Sequence, residues 1–91
     1  MVRIYERELN QYIENFNSEN IEIIVNGALN QIVKLELAEC TYNTKDGKLK
    51  IKDENSYFEI ELSFVYLIEL TDDFSKLKFY LDNETEVTIA K

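Results

Sequence analysis

Residues 48–62, KLKIKDENSYFEIEL, hold two runs of alternating residues separated by four polar ones. In the first run lysine alternates with leucine or isoleucine, and in the second an aromatic or apolar residue alternates with glutamate. A period of two is typical of a β-strand with one buried and one exposed face. The four residues between the runs, Asp53 to Ser56, are rich in turn formers. We therefore predict a β-hairpin with strands at about 47–52 and 57–62.

One register suits both faces of this hairpin. Leu49 and Ile51 then lie opposite apolar residues of the second strand, and Lys50 lies opposite Glu59 on the other face. Such cross-strand pairs contribute about 0.2–1 kcal/mol each. The charges therefore have a structural role even without a binding site.

The same alternation extends in both directions from the hairpin. It predicts further strands at about 21–25, 31–42, 64–70, 76–82 and 86–90. Turn-forming stretches lie between them: NGALN at 26–30, NTKDG at 43–47, TDDFSK at 71–76 and the Asn83-Glu84-Thr85 turn. Because the alternation continues from Phe58 to Leu70, either one strand bends near Ser63 or two short strands meet there.

The segment 31–42 carries a conflict of its own. The residues suited to a core occupy odd positions at Val33, Leu35 and Leu37, whereas Ala38 and Cys40 place them at even positions. A bulge near residues 37–39 would reconcile the two halves, since it shifts the side-chain alternation by one residue.

Residues 3–16, RIYERELNQYIENF, have a helical period instead. Their apolar residues recur at spacings of three and four, which places them on one face of a helix: Tyr5, Leu9, Tyr12, Ile13 and Phe16. The prediction is an α+β fold in a single domain, residues 1–91. One N-terminal amphipathic helix is followed by about six short antiparallel strands that form a curled sheet or half-open barrel.

The composition offers little for catalysis or for cofactors. The chain has no histidine, a single cysteine and two glycines, both in predicted turns. It therefore lacks the commonest general base, a cysteine pair for a metal, and a glycine-rich phosphate loop. We expect Cys40 to be a small core residue, and we expect no enzymatic activity, no cofactor and no metal.

The charge balance narrows the partners. With 18 acidic and 10 basic residues the formal net charge is −8, which disfavours direct binding to nucleic acid or to an anionic membrane. No apolar run is long enough for a signal peptide or a membrane span, so we expect a cytoplasmic protein. Residues 53–73 hold seven acids and no base, which favours a protein partner with a basic surface.

Tyrosines and acids of the second half of the chain form the candidate partner-binding set. Tyrosine is enriched at protein interfaces, and an alternative is that the helix covers this face. The candidate residues are Tyr57, Glu59, Glu61, Leu67, Glu69, Asp72, Asp73 and Tyr80. In size and charge balance the chain is similar to anti-CRISPR and anti-restriction proteins. That similarity of composition implies an inhibitor or adaptor that imitates nucleic acid.

The order of elements, one helix and then short antiparallel strands, resembles that of Sm-like proteins, which form rings on RNA. The resemblance is architectural and covers most of the chain, while the Asp/Asn and Arg-Gly signatures of that family are missing. It implies the alternative function, a self-assembling Sm-like or SH3-like barrel subunit that forms a dimer or a ring as a scaffold.

Overall fold

Nine strands in two antiparallel sheets and one short α-helix make up the fold of the computed structural model, which describes all 91 residues. The strands are β1 (Val2–Ile4), β2 (Ile21–Asn26), β3 (Gln31–Leu35), β4 (Glu39–Asn43), β5 (Lys48–Lys52), β6 (Tyr57–Glu61), β7 (Val65–Leu70), β8 (Lys76–Leu81) and β9 (Glu86–Ala90), and the helix is α1 (Leu9–Ile13). The large sheet has the order β1-β7-β8-β9-β2-β3, and the small sheet has the order β4-β5-β6.

The hairpin predicted from residues 48–62 is confirmed as β5 and β6. Its register runs from Lys48 opposite Glu61 to Lys52 opposite Tyr57, as the pairing of apolar and charged residues requires. The β2–β3 hairpin also has a register that matches its two faces, with Ile23 opposite Val33. In both hairpins the alternation determines the faces, and the length of the turn determines which residues lie opposite each other.

The predicted number of about six strands is wrong, and the sheets do not close into a barrel. The seven predicted ranges correspond to nine strands, because β1 is additional and one predicted strand divides between the sheets. The predicted strand at 31–42 becomes β3 in the large sheet and β4 in the small sheet. The long alternation through Ser63 becomes β6 and β7, separated by a 3₁₀ turn at Leu62–Phe64, so two short strands meet there.

At residues 36–38 the chain leaves one sheet and enters the other, which makes the predicted bulge wrong. Leu37 adopts a left-handed backbone with φ of 50°, which ends β3. Leu35 is buried before this corner, and Ala38 and Cys40 are buried after it. The corner therefore changes the inward positions from odd to even, which explains the conflict in the sequence pattern.

Polar groups from neighbouring loops bind the backbone of this corner. The backbone N–H groups of Glu36, Leu37 and Cys40 donate to side-chain oxygens at 2.9, 3.1 and 2.7 Å. Their acceptors are Asp53, Asn20 and Asn17, respectively. In addition Ala38 exchanges two backbone hydrogen bonds with the loop before β2, at 2.8 and 2.9 Å. These bonds replace the ladder bonds that the corner lacks.

The predicted helix over 3–16 is also wrong in extent. Only the five residues of α1 are α-helical; residues 6–8 and 14–16 form 3₁₀ turns, and β1 occupies Val2–Ile4. Tyr5 has an extended backbone, and its N–H donates to the Glu8 carboxylate at 2.9 Å. The alternation of Val2, Arg3 and Ile4 allows pairing with β7, and this tertiary contact outweighs a weak local helix preference.

For the two C-terminal hairpins the apolar alternation predicts Tyr66 opposite Leu81 and Phe79 opposite Ile89, and both registers differ from the structure. A bulge between Val65 and Leu67 places Val65, and not Tyr66, opposite Leu81. In the next hairpin Phe79 lies opposite Val87 instead of Ile89. This shift of two residues leaves every side chain on its expected face, because the alternation in a strand repeats every two residues.

One hydrophobic cluster fills the interior. It has 20 buried residues, none of them polar or charged. Both sheets and the helical segment contribute to it, the last through Leu9, Ile13 and Phe16. Cys40 is buried in this cluster, as the sequence predicted. The side chains of the strands that alternate with these core residues therefore form the outer surface of the two sheets.

Candidate protein-binding surface

The outer side of the large sheet carries a group of aromatic and aliphatic side chains around β1 and β7. We call it the tyrosine surface, and it comprises Tyr5, Tyr66, Leu67 and Tyr80. Its position follows from the strand alternation: Ile68 and Leu70 of β7 and Leu77 and Phe79 of β8 are buried, so Leu67 and Tyr80 point outward and lie opposite each other. Tyr66, at the bulge, is 60% exposed.

Two tyrosines of the tyrosine surface, Tyr66 and Tyr80, lie beside each other. The rings of Tyr66 and Tyr80 are 6.3 Å apart between centroids, within the range of favourable aromatic pairs. The hydroxyl of Tyr80 donates to the Glu69 carboxylate at 2.7 Å. This bond to Glu69, together with desolvation, raises the pKa of Tyr80 above its ordinary value. The ring is therefore held in a single orientation, and the Lys78 ammonium lies 5.2 Å from its centroid.

A small groove opens between the end of β1 and the start of β7. Its volume is about 80 Å³, and its lining is mainly apolar, with Ile4, Tyr5, Leu62 and the first residues of β7. The β1–β7 ladder covers only Ile68–Leu70 of β7. Residues 65–67 therefore extend past the end of β1 and face the groove.

Two arginines border this groove region. The guanidinium carbons of Arg3 and Arg7 lie 5.0 and 4.8 Å from the centroid of the Tyr5 ring, a distance typical of cation–π contacts. All four ion pairs of the chain involve lysines, so neither arginine belongs to one. Arg3 lies opposite Glu69 in the β1–β7 ladder and Glu6 also lines the groove, so this margin carries both positive and negative groups.

The structure separates the eight residues predicted to bind a partner into three groups. Leu67, Glu69 and Tyr80 come together on the tyrosine surface. The three that lie on β6 of the small sheet are Tyr57, Glu59 and Glu61. The remaining two, Asp72 and Asp73, lie in the loop between β7 and β8.

Sequence reasoning missed Tyr5, Tyr66 and the two arginines. Tyr5 was assigned to the apolar face of a helix, and Tyr66 to the apolar face of an unbroken alternation. The alternation of Val2, Arg3 and Ile4 was the available signal for the first, since it continues the pattern of a strand. No residue near position 66 in the sequence indicates the bulge that turns Tyr66 outward.

The outer face of the small sheet is neutralised by its own lysines. Lys48 pairs with Glu59 at 3.7 Å and Lys52 with Glu39 at 3.7 Å. Lys50 pairs with an acid of the preceding turn at 3.6 Å. Of the acids in the run 53–73, Glu59 is therefore offset by a lysine of β5, and Glu61 lies opposite one in the ladder.

Tyr57 is also engaged with a neighbour on the small sheet. Its hydroxyl donates to the Glu59 carboxylate at 2.6 Å, and this bond raises the pKa of Tyr57. The ring remains 56% exposed, which makes Tyr57 a natural counterpart of Tyr66 in experiments.

Asp73 accepts hydrogen bonds from other residues of the loop that contains it. Its Oδ1 accepts hydrogen bonds from the hydroxyls of Ser75 and Thr71 at 2.7 and 2.8 Å, and from the Ser75 N–H at 3.1 Å. Because these donors favour the charged carboxylate, the pKa of Asp73 is lowered to about 2. Phe74 has a φ of 60° and stacks on Tyr12 with centroids 6.1 Å apart.

The chain offers no geometry for a metal ion. No three acidic or cysteine side chains lie close enough together to share one. Burial raises the pKa of the Cys40 thiol to about 11, so at neutral pH it is a protonated thiol inside the core. No helix has both the length and the apolar character needed to cross a membrane.

Comparisons of the chain with protein-family models, with curated proteins and with solved structures gave no match.

Proposed function

We propose that the protein is a non-enzymatic binding protein of the cytoplasm, an inhibitor or adaptor whose partner is a protein with a basic surface. The observation that carries this proposal is the tyrosine surface on the outer side of the large sheet.

The make-up of the tyrosine surface supports a protein as the ligand. Tyrosine and arginine are the residue types most enriched at the energetic centres of interfaces. The surface has three tyrosines, of which Tyr5 and Tyr66 expose 45% and 60% of their area. The groove beside them, at about 80 Å³, is much smaller than the roughly 300 Å³ or more of a typical small-molecule site.

The distribution of charge supports a basic partner. Ion pairs use only four of the 18 acids, namely Glu39, Asp46, Glu59 and Glu86. The rest of the acids retain their negative field, which attracts a basic protein from a distance and accelerates its binding. Proteins that bind nucleic acid present such basic surfaces, and we propose them as the partner class, as for the anti-CRISPR and anti-restriction proteins that this chain is similar to in composition.

Two tyrosine variants test which face makes the contact. The tagged protein is used to capture partners from a lysate of the organism that encodes it, with elution in a salt gradient. We expect Tyr66→Ala to weaken capture by about tenfold or more, as for a central aromatic residue of an interface, and Tyr57→Ala to leave it unchanged. Both rings are largely exposed, so neither variant should unfold.

The same pair of variants can contradict the proposal. If Tyr66→Ala retains full capture, the tyrosine surface is not the contact. If Tyr57→Ala alone loses capture, the contact lies on the small sheet. If elution does not depend on the salt concentration, the partner is not held by its basic surface, and that part of the proposal is wrong.

Self-association is a second candidate function, and the observation that favours it is the position of β3. This strand is an edge of the large sheet, and its Ile32 is 63% exposed. An exposed edge strand can pair with that of another copy. We expect Ile32→Lys to convert such an oligomer to a monomer in light scattering, while a wild-type monomer at high concentration would end this alternative.

A further inference from the structure

The free edge of β3 has the features of a contact between two copies of this chain. We propose that the protein forms a symmetric dimer in which β3 pairs antiparallel with β3 of a second copy, with Val33 of both strands at the two-fold axis. This inference rests on the self-association named above as the second candidate function, and it specifies the surface and its register. It does not involve the tyrosine surface, which lies at the opposite edge of the large sheet.

The backbone of β3 has hydrogen-bonding groups that no other part of the chain uses. This strand pairs only with β2, and none of the backbone hydrogen bonds of the turns and loops involves residues 31–35. The N–H and C=O groups that point away from β2 are therefore open to a further strand. A second copy of β3 satisfies them along the whole strand.

The three most exposed large apolar side chains of the protein lie in or beside this edge. Leu29 is 85% exposed, Leu37 is 71% exposed and Ile32 is 63% exposed. Leu29 precedes Val33 by four residues and Leu37 follows it by four, so the two-fold axis brings Leu29 of each copy towards Leu37 of the other. In the same register Ile32 lies opposite the aliphatic stem of Lys34. The dimer therefore covers apolar area that a single copy leaves in water.

The charges at the two ends of β3 favour the antiparallel direction. The corner after the strand has three acids, Glu36, Asp53 and Glu54, and one base, Lys34, around a groove of about 400 Å³. The turn before the strand, NGALN at 26–30, has no charge. Antiparallel pairing places each uncharged turn beside the acidic corner of the other copy, whereas parallel pairing would place the two acidic corners side by side.

The groove at this corner suits side chains from the turn of the second copy. Its only apolar lining residue is Leu37, which is the contact that the register assigns to Leu29. The same register places Asn30 opposite Glu36. The side-chain oxygen of Asn30 accepts the Gly27 N–H at 3.2 Å, so its NH₂ group remains to donate to a carboxylate of the corner.

The other three edge strands are less suited to pair with themselves. The strand β1 has only three residues, and α1 packs against β4. Pairing of β6 about its central residue would place Glu59 opposite Glu59 of the second copy, and like charges directly opposite each other destabilise a sheet. In β3 the central residue is Val33, and the single charge, that of Lys34, is exposed on the outer face.

Sedimentation velocity over a range of protein and salt concentrations tests the proposal. Two chains of charge −8 repel each other, so we expect a dimer at high protein concentration whose Kd falls as added salt screens the repulsion. Leu29→Ser should raise the Kd about tenfold or more, since each copy loses an apolar side chain from the contact. The control is Phe64→Ser, which should leave the Kd unchanged, because Phe64 is also exposed, at 54%, but lies between β6 and β7.

A cysteine at position 33 tests the register. The Cα atoms of residues directly opposite each other in an antiparallel pair are about 4.5–5.5 Å apart, a distance that a disulfide can bridge. With oxidised glutathione, Val33→Cys should therefore form a covalent dimer about tenfold faster or more than Thr41→Cys, which places an exposed cysteine on the small sheet. If Ile32→Cys is trapped faster than Val33→Cys, the axis lies at residue 32 and the proposed register is wrong.

These outcomes are distinguishable from failure of the proposed function. A wild type that stays monomeric at high protein and salt concentration overturns the dimer. A dimer that is neither weakened by Leu29→Ser nor trapped through Val33→Cys lies on another surface, which also overturns the proposal. Capture of a basic partner weakens with salt, whereas the dimer is strengthened by it, so each contact is measured independently of the other.

Discussion

Leu37 combines a left-handed backbone, with φ of 50°, and a side chain that is 71% exposed. For a residue with a Cβ atom this conformation costs about 1–2 kcal/mol. Its side chain contributes no core contact that would offset this cost. The hydrogen bond from the Leu37 N–H to Asn20 and those of its neighbours hold the residue in place. The strain is therefore a local cost of moving the chain from one sheet to the other.

Replacing Leu37 with glycine should stabilise the protein. Glycine adopts the left-handed conformation without steric penalty, so Leu37→Gly should raise the free energy of unfolding by about 1 kcal/mol and Tm by about 4–8 °C. Leu37→Ala is the control, because it removes the exposed side chain and keeps the strain. Thermal denaturation that shows equal Tm values for the two variants would contradict this account.

Cys40 should react slowly as long as the protein is folded. Its thiol pKa of about 11 leaves roughly 100-fold less thiolate at pH 8 than an ordinary thiol has, and the thiolate is the reactive form. Because the folded-state pKa is raised, the associated stability is present below pH 9 and is lost as the pH rises towards 11. The reaction rate of the thiol with a chromogenic disulfide reagent, measured on the folded protein and on the protein unfolded in urea, tests this expectation. The control is a Thr41→Cys variant in a Cys40→Ala background, which places an exposed cysteine on the same strand and should react at the rate of an ordinary thiol. If Cys40 of the folded wild type reacts as fast as this control, its thiol is not buried.

At the scale of the elements, the corner at residues 36–38 determines the two-sheet arrangement. The N–H groups of this corner cannot join a ladder, and three side-chain oxygens accept their hydrogen bonds. The loop between α1 and β2 is thereby fastened to the start of β4. Two of the three acceptors, Asn17 and Asn20, come from a segment rich in asparagine and serine that looks like a plain helix stop in the sequence, and the third is Asp53.

Removing one of these acceptors should weaken the corner. Asn17→Ala leaves the N–H of Cys40 without its partner at 2.7 Å, which should lower the free energy of unfolding by about 1–3 kcal/mol. Asn15→Ala is the control, because only its backbone oxygen accepts a hydrogen bond, from Lys91; it should change stability by less than about 0.5 kcal/mol. Urea denaturation of the two variants measures the difference, and equal midpoints would show that the corner does not depend on this bond.

The two adjacent acids of the β7–β8 loop, Asp72 and Asp73, should contribute unequally to stability. Asp73→Asn weakens three hydrogen bonds within the loop and should lower Tm by several degrees, whereas Asp72→Asn should have little effect. The lowered pKa of Asp73 means that its contribution is present above about pH 4 and is lost as the pH falls towards 2. Thermal denaturation of both variants at pH 7 and pH 3 checks the sign. An equal loss in Asp72→Asn would point to the net charge of the loop as the cause.

Much of the element pattern was predictable because apolar alternation reports directly on which face is buried. The β5–β6 and β2–β3 registers followed from it residue by residue. What the pattern could not give was the sheet to which each strand belongs. That depends on Leu37 and on the turn at Leu62–Phe64, where the backbone changes direction without a glycine or proline to mark it. Likewise, β1 depends on a partner strand far away in the sequence.

At the scale of the whole molecule, a single core joins the two sheets. The 20 buried residues form one cluster to which both sheets and the helical segment contribute. Neither sheet can bury its inner face without the other, since each provides the apolar surface that covers its neighbour.

Unfolding should therefore be one cooperative transition. Near-UV signals from tyrosines of both sheets and the far-UV signal of the strands should give the same midpoint in urea, as expected of a small two-state domain. A small sheet that melted before the large one would separate the two curves and would contradict the single core.

The candidate site was less predictable than the fold. The sequence placed Leu67, Glu69 and Tyr80 in one group, and the structure brings them together. It also grouped them with Tyr57 and Glu59, which lie in the other sheet beside lysines of β5. Local charge along a chain is a poor guide to the charge of a surface, because the neighbouring strand supplies half of that surface.

The pairing of β2 with β9 also bears on the rate at which the protein folds. Most of the strands meet a neighbour in sequence, but Ile23 lies opposite Ile89 and Ile4 opposite Ile68. Bringing together residues so far apart in the sequence costs more chain entropy than closing a hairpin. Contacts between distant residues also slow folding. The small sheet, which consists of two consecutive hairpins, has all its ladder partners between residues 39 and 61. Completion of the large sheet, in contrast, must wait until the two ends of the chain have met.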